Sequence, residues 1–475
     1  MTLIKSISGI RGTIGGKAGE CLSPLDAVKF SIAFATLLQR NQQKNGHAGH
    51  ALKVVIGRDA RISGDMLNRI VSGTLMGMGV NVVDCSLSTT PSVEMAVVAE
   101  KADGGIILTA SHNPKNWNAL KLLNAKGEFI SEEEGETLLH IAESDDLVFP
   151  DVNHIGKYQL KSNAIEEHIA AILKIDMVDK QAIEKANFKI VIDGINSTGS
   201  IAVPMLLEAL GVSQITVINE EAHGDFAHNP EPLPDHLLDL SNTVTKKKAH
   251  LGISVDPDVD RLAFVCEDGE MFGEEYTLVA VADYVLKHRD GNSVSNLSST
   301  KALRDITEKK GKNYFASAVG EVNVVNMMKQ NNAVIGGEGN GGIILPELHY
   351  GRDALVGIAL FLSHLAKFGK PVSMLKAVYP QYYISKNKIE LTADTPVDTI
   401  LERVREKYKK QPAITIDGLK VEFENSWVHL RKSNTEPIIR IYAEAQNIAI
   451  ADKLANKIIE DIKEIHKELS GELKD

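Results

Sequence analysis

Three carboxylates stand at alternate positions in Asp256-Pro257-Asp258-Val259-Asp260-Arg261, directly after the apolar run 252–255. Hard oxygen ligands at i, i+2 and i+4, with Pro257 barring a helix, suit Mg2+ or Ca2+. The alternative is a solvated acidic turn, although mutual repulsion favours a cation partner. Glu267 falls at the twelfth position of an EF-hand count, but the sixth, which needs glycine, is Arg261. Residues 262–265 also read as a strand, so an EF-hand is set aside. A second group, Thr109-Ala110-Ser111-His112-Asn113-Pro114, follows the apolar run 105–108. A serine in a turn at a strand's carboxyl end is where α/β enzymes put reacting groups. Adjacent Ser111 and His112 are not expected to face each other on a tight turn, and there is no Gly-x-Ser-x-Gly elbow, which argues against a hydrolase. A phosphorylated Ser111 would complete the oxygen shell of a cation on the aspartates, the alternative being an ordinary surface turn. Lys121 either shuttles protons or holds charge nearby, or is a solvated strand lysine.

Two further loops offer donors. Arg431-Lys432-Ser433-Asn434-Thr435-Glu436-Pro437, with Arg440 after it, gathers guanidinium, ammonium, hydroxyl and amide groups. Such a set grips phosphate, with arginine supplying bidentate contacts, unless it is only a solvated basic turn. Ser8-Gly9-Ile10-Arg11-Gly12-Thr13 and Gly57-Arg58-Asp59 are smaller loops of the same type. Gly336-Gly337-Glu338-Gly339-Asn340-Gly341-Gly342 contains Gly-x-Gly-x-x-Gly, but Ile343-Ile344-Leu345-Pro346 follows where a dinucleotide fold needs a helix. Glu338 and Asn340 would there meet sugar hydroxyls, with glycine allowing close backbone approach, or the segment is a flexible hairpin loop.

These loops need strands that end beside them. Apolar runs at 53–56, 105–108, 189–192, 252–255 and 333–335 each lead into a glycine- or aspartate-marked loop, and helix-period stretches at 24–39, 64–78, 131–143 and 300–310 lie between. Alternating β and α argues for α/β domains, with a faint suggestion of one unit repeated. Near the end, 421–423, 427–430 and 438–443 read as neighbouring strands. Leu454, Ile458, Ile462, Ile465 and Leu469 after them mark one amphipathic helix, packed on its own sheet in a smaller α+β domain. The chain of 475 residues, 43% hydrophobic and 24% charged, has room for three or four such domains. Its net charge of −11 disfavours nucleic acid as the main partner, and the phosphate-binding cations must therefore be gathered locally. No apolar run approaches a membrane span, no secretory signal is seen, and three scattered cysteines form no Cys-x-x-Cys pair. A cytoplasmic setting is expected.

The motifs in this order resemble the α-D-phosphohexomutase superfamily over essentially the whole chain, and Phe226-Ala227-His228-Asn229-Pro230-Glu231-Pro232 is similar to a segment of that family's second domain. The resemblance implies three related mixed α/β domains (1–157, 158–262 and 263–374) and a smaller C-terminal α+β phosphate-binding domain (375–475) around a central cleft. It implies Ser111 as the phosphorylated residue, with Asp256, Asp258 and Asp260 as its Mg2+ partners, and a sugar 1,6-bisphosphate as activator. Glu338 and Asn340 would contact the sugar; Arg431, Ser433, Asn434, Thr435 and Arg440 would hold the idle phosphate. Arg11, His112, Lys121 and Arg261 would assist at the transferring group. Two departures stand out: relatives often carry Glu-x-Ser-Gly-His where this chain has Glu338-Gly339-Asn340-Gly341-Gly342, and Asn-Gly where it has Asn118-Ala119. The Glu-x-Asn-Gly-Gly form is similar to the phosphoglucosamine mutase branch. The implied activity is interconversion of hexosamine 6-phosphate and 1-phosphate by a monomer or homodimer. Glucose or mannose phosphates, a metal-dependent nucleotide-sugar transferase and a non-catalytic sugar-phosphate sensor are the alternatives.

Overall fold

The computed structural model describes residues 2–6, 9–44, 50–144, 147–390, 396–432 and 438–472, the side chains of 470–472 excepted. Two compact units are present: Met1–His288 with Asn340–Lys376, and Arg289–Gly339 with Ala377–Asp475.

In the first unit a seven-stranded sheet runs in the order Ile4–Ser6, Gly9–Thr13, Trp117–Asn124, Gly104–Leu108, Lys53–Arg58, Asn81–Leu87, Tyr158–Leu160. Gly104–Leu108 pairs parallel with Lys53–Arg58 and antiparallel with Trp117–Asn124, so it is central and buried along its length. A strand covered on both faces must be apolar throughout, which is why the sequence reads as an unbroken run there. The helices Pro24–Lys44 and Gly64–Gly77 pack over Val54, Ile56 and Ile106 through Phe30, Phe34, Leu67 and Val71. Ser131 closes a reciprocal capping box with Glu134 at the start of Glu132–Ala142.

A four-stranded sheet in the same unit has the order Leu262–Cys266, Leu251–Val255, Lys189–Asp193, Gln214–Ile218. Leu251–Val255 and Leu262–Cys266 are antiparallel, and the aspartate loop joins them. The helix Ala354–Phe368 is buried from Ala354 to Leu365 and stacks Phe361 on Phe264 at 3.9 Å between ring centroids. Truncating a buried phenylalanine such as Phe361 costs about 3–5 kcal/mol, so this helix is firmly seated behind the loop.

In the second unit, Asn292–Asn296 pairs parallel with both Tyr314–Ser317 and Ala333–Glu338. A five-stranded antiparallel sheet has the order Tyr383–Glu390, Ile438–Ala445, Trp427–Lys432, Leu419–Glu422, Ala413–Ile414. The helix Ile448–Glu472 covers one face through Ile458, Ile462 and Ile465, as its periodicity predicts. Among the described residues no helix is long and apolar enough to cross a membrane.

Two expectations need correction. Residues 336–338 are not loop: Ala333–Glu338 is one strand, and a Cβ on Gly336 would come 2.4 Å from the Met328 sulfur and 2.9 Å from the Val294 carbonyl oxygen. Gly9–Thr13 is likewise a strand, and Gly57 and Arg58 end another.

Candidate functional site

The buried strand Gly104–Leu108 delivers Ser111 into a turn closed by Asn113 N–H donating to the Ala110 carbonyl at 3.0 Å. Ser111 has φ +50°, a left-handed conformation uncommon for serine that persists only when its surroundings hold it. What holds it is Arg61. Its Nε donates to Asp59 Oδ2 at 2.9 Å, its Nη1 to the carbonyls of Pro114 (2.7 Å) and Trp117 (3.0 Å), and its Nη2 to those of Asn113 (2.7 Å) and Ser111. All five guanidinium donors are thereby used, while the Phe226 ring lies 5.0 Å from its Cζ. Asp59 also accepts from Thr109 Oγ1 at 2.7 Å, and that oxygen accepts from Ser111 N–H at 3.0 Å. Arg61 escaped the sequence reading. A buried arginine is rare without a partner, and apart from Asp59 two residues away the partners here are backbone carbonyls about fifty residues away.

The aspartate loop meets this turn. Ser111 Oγ donates to Asp256 Oδ2 at 2.7 Å. Val259, fully buried, sits at φ +63°, a strained conformation for a β-branched residue. The hydroxyls of Ser197 and Thr198 hold the Pro257 carbonyl at 2.7 and 2.8 Å. Each carboxylate is gripped on one side. Asp256 Oδ1 accepts the amides of Asp260 (3.1 Å) and Arg261 (3.0 Å). Asp258 Oδ2 accepts Thr90 Oγ1 (2.6 Å) and Lys121 Nζ (2.8 Å); Asp260 Oδ2 accepts Arg352 Nη2 (2.6 Å). The other oxygens of Asp258 and Asp260 are buried with no hydrogen-bond partner, an arrangement that costs several kcal/mol unless something positive meets them. The three residues place ligand atoms within 4.8 Å of one another and could hold a metal ion.

Electrostatics agrees with that geometry. Burial, reinforced by the charges of Asp260 and Asp258, pushes Asp256 well above the usual carboxylate range. Burial also acts on Asp258, but the Lys121 ammonium and the bonds from Lys121 and Thr90 outweigh it and hold that carboxyl below its ordinary value. Lys121 pays for its own burial with Asp258 and Asp260, and its pKa stays above the ordinary value. Three carboxylates so close do not all ionise comfortably by themselves; a divalent cation reverses that balance.

The other expected residues fall as follows. His112 Nδ1 lies 3.4 Å from Ser111 Oγ, so the left-handed turn brings the neighbours into contact after all, although Asp256 is the closer partner. Burial and the guanidinium groups of Arg261, Arg11 and Arg352 push His112 down to about 2, so its imidazole is neutral at pH 7. Arg11 Nη1 donates to Asn113 Oδ1 at 3.0 Å, and Arg261 Nη1 lies 3.3 Å from Glu231 Oε1, in the 226–232 segment. Asn340 Oδ1 accepts the Gly342 amide at 3.2 Å. A Cβ on Gly342 would come 2.4 Å from Arg352 Cδ: the arginine stem fills the space beside the position where relatives often carry histidine.

In the second unit Glu338 is buried and its Oε1 accepts Asn296 Nδ2 (2.8 Å) and the Gly320 amide (3.1 Å). The adjacent Val319 amide donates to Asp417 Oδ2 at 2.9 Å, and Asp417 pairs with Arg431 Nε at 2.9 Å. Arg431 stands directly opposite Arg440 across antiparallel strands, and Arg440 opposite Lys388. Three cations in one cross-strand row repel one another, a repulsion that Asp417 offsets at Arg431, and Lys388 was missed because its strand was. Ser433, Asn434 and Thr435 lie outside the described residues.

Models of the four phosphoglucomutase/phosphomannomutase domains match the chain: α/β/α domain I at residues 3–148, domain II at 166–269, domain III at 273–382 and the C-terminal domain at 389–461. The chain belongs to the phosphoglucomutase/phosphomannomutase family. It therefore has three related mixed α/β domains and a smaller C-terminal one, and it sits among the α-D-phosphohexomutases. The phosphoglucomutase/phosphomannomutase of Thermococcus kodakarensis is 36% identical over 442 residues, covering 92% of this chain and 94% of that one. The phosphoglucosamine/phosphogalactosamine mutase of Sulfurisphaera tokodaii is 33% identical over 464 residues, covering 95% and 97%. The crystal structure of a phosphoglucomutase/phosphomannomutase family protein from Burkholderia thailandensis shares the fold, with a TM-score of 0.82 at 24% identity over 97% of this chain and 98% of that one.

Proposed function

We propose that this phosphohexomutase interconverts hexosamine 6-phosphate and 1-phosphate, glucosamine first, through phosphorylated Ser111 and a 1,6-bisphosphate. The observation that carries the reading is Ser111 Oγ, 2.7 Å from Asp256 Oδ2 in an aspartate cluster whose Asp258 and Asp260 each keep one buried oxygen without a hydrogen bond. Asp256, Asp258 and Asp260 would hold Mg2+, which when bound neutralises charge developing on the transferring phosphoryl group. The bond from phosphorus to Ser111 Oγ breaks as that to the sugar hydroxyl forms. The hydroxyl's proton passes to Ser111 Oγ in this first transfer; in the return transfer Oγ takes the other phosphoryl group of the bisphosphate and gives up that proton to the sugar oxygen released. His112 Nδ1, 3.4 Å from Oγ and uncharged, is placed to orient that hydroxyl as the proton moves. Lys121 and Arg261 supply positive charge at the transferring group. Arg11, tied to Asn113, steadies the turn.

Glu338 and Asn340 would contact the sugar, and Arg431, Arg440 and the 433–435 segment would grip the phosphate that is not reacting. The Glu338-Gly339-Asn340-Gly341-Gly342 motif and the phosphoglucosamine-acting relative support glucosamine. The relative at 36% identity favours a second reading, glucose and mannose phosphates. We place the enzyme in the cytoplasm, where its three buried, free cysteines would remain reduced.

The test is phosphorus NMR on the 1-phosphates of glucosamine, N-acetylglucosamine, glucose and mannose, each with Mg2+ and the matching bisphosphate as primer. Glucosamine 6-phosphate should form fastest. Faster conversion of glucose or mannose phosphate would move the specificity to the second reading, and no conversion of any sugar would end the mutase proposal.

A further inference from the structure

Arg352 belongs to none of the motifs visible in the sequence, yet its guanidinium reaches the aspartate loop. Its Nη2 donates to Asp260 Oδ2 at 2.6 Å, and the residue is buried. Its place is fixed from three directions. The stem lies against Gly342, where a Cβ would come 2.4 Å from Arg352 Cδ and 3.1 Å from Cγ. The following residue, Asp353, donates its amide to the Ile343 carbonyl at 2.8 Å and caps Ala354–Phe368 by accepting the amides of Leu355 (2.8 Å) and Val356 (3.2 Å) on Oδ1. Its Oδ2 accepts from His168 Nε2 at 2.8 Å and meets His349 Nε2 at 3.2 Å. The Ala354 amide then donates to the carbonyl of left-handed Val259 at 3.2 Å, locking the helix start to the aspartate loop itself.

We infer that Arg352 is a positioning residue that occupies Asp260 Oδ2 so that Asp260 offers a cation one oxygen, Oδ1, and not two. This rests on the reading of the 256–260 loop as a divalent-cation site. A carboxylate free to turn would be able to chelate through both oxygens, binding the cation more tightly and in a different position. A positive charge 2.6 Å from the same carboxylate also opposes the cation. Arg352 therefore trades metal affinity for geometry, an outer-shell role with a sign of its own.

That sign makes the inference testable. Mn2+ binding to the full-length protein is followed by electron paramagnetic resonance, alongside steady-state kinetics with the sugar phosphate and thermal unfolding as a folding control. Arg352→Gln should bind Mn2+ more tightly than the wild type while kcat falls by about ten- to a hundredfold and KM stays nearly constant. Arg352→Lys keeps the charge without the planar fork, so it should restore near-wild-type affinity but not the rate. Gly342→Ala leaves the arginine in place chemically and pushes it aside, and should lower kcat in the same way. Weaker Mn2+ binding in a folded Arg352→Gln protein, or wild-type kcat in all three variants, would overturn the inference. If the wild type binds no Mn2+ at one per chain, the underlying cation-site reading falls with it.

Discussion

Two clusters in the first unit each bring three metal-capable side chains within 4.8 Å: Asp256, Asp258 and Asp260, and His168, His349 and Asp353. In the histidine cluster groups of opposite charge face one another, although His349 Nδ1 meets its carboxylate as an ion pair and not in hydrogen-bond geometry. Asp353 Oδ2 takes both imidazoles, its Oδ1 caps a helix, His168 Nδ1 bonds Ser92 Oγ at 3.0 Å, and His349 Nδ1 lies 3.3 Å from Glu94 Oε2. In the aspartate cluster, charge of one sign is gathered and two buried oxygens are left bare. Proximity and burial are common to both. What separates a structural ion network from a cation site is whether the clustered groups are of opposite charge or of one sign.

The largest effect that sharpens this contrast is expected at Ser111. Ser111→Ala should lower turnover by on the order of a thousandfold or more in an assay of sugar-phosphate conversion, with Mn2+ still bound. Next, Asp258→Asn should weaken Mn2+ binding by about ten- to a hundredfold by titration, whereas His168→Gln should leave it unchanged. Metal loss in the histidine variant would break the comparison. Arg431→Gln should raise KM by about tenfold with a smaller change in kcat, since it would remove grip on a phosphate that does not react.

A separate effect, outside catalysis, concerns stability. The carboxylates of Asp353 and Glu94 outweigh burial and raise His349 to about 10 from 6.5. A histidine whose folded pKa is raised contributes its full stability below the unfolded value and loses it as pH climbs through the folded one. The wild type should thus exceed His349→Gln by about 3 kcal/mol near pH 6, a gap that closes between pH 6.5 and about 10 in denaturant titrations. A gap that widened with pH would contradict the assignment.

Much of the site was legible because it is local. Apolar run, turn and chemistry are contiguous at 105–114 and 252–261, and both strands formed where the runs lie. The aspartate spacing alone predicted a convergence that the loop realises. Arg61, Thr90 and Arg352 were not legible, since each acts on a partner tens of residues or more away and carries no local pattern. The glycine-rich segment was misread for a related reason. Gly336 read as close backbone approach to a sugar or as a flexible hairpin, but it lies in a strand, where a Cβ would come 2.9 Å from the Val294 carbonyl oxygen of the paired strand and 2.4 Å from the Met328 sulfur. Lys388 went unseen until its strand supplied the cross-strand register with Arg440.

Intact-mass analysis before and after exposure to a hexosamine 1,6-bisphosphate, with peptide mapping, tests the relay most directly. The account predicts that the wild type gains one phosphoryl group on Ser111 and that added monophosphate discharges it as bisphosphate. Sustained turnover by protein that never carries phosphate on Ser111 would contradict it.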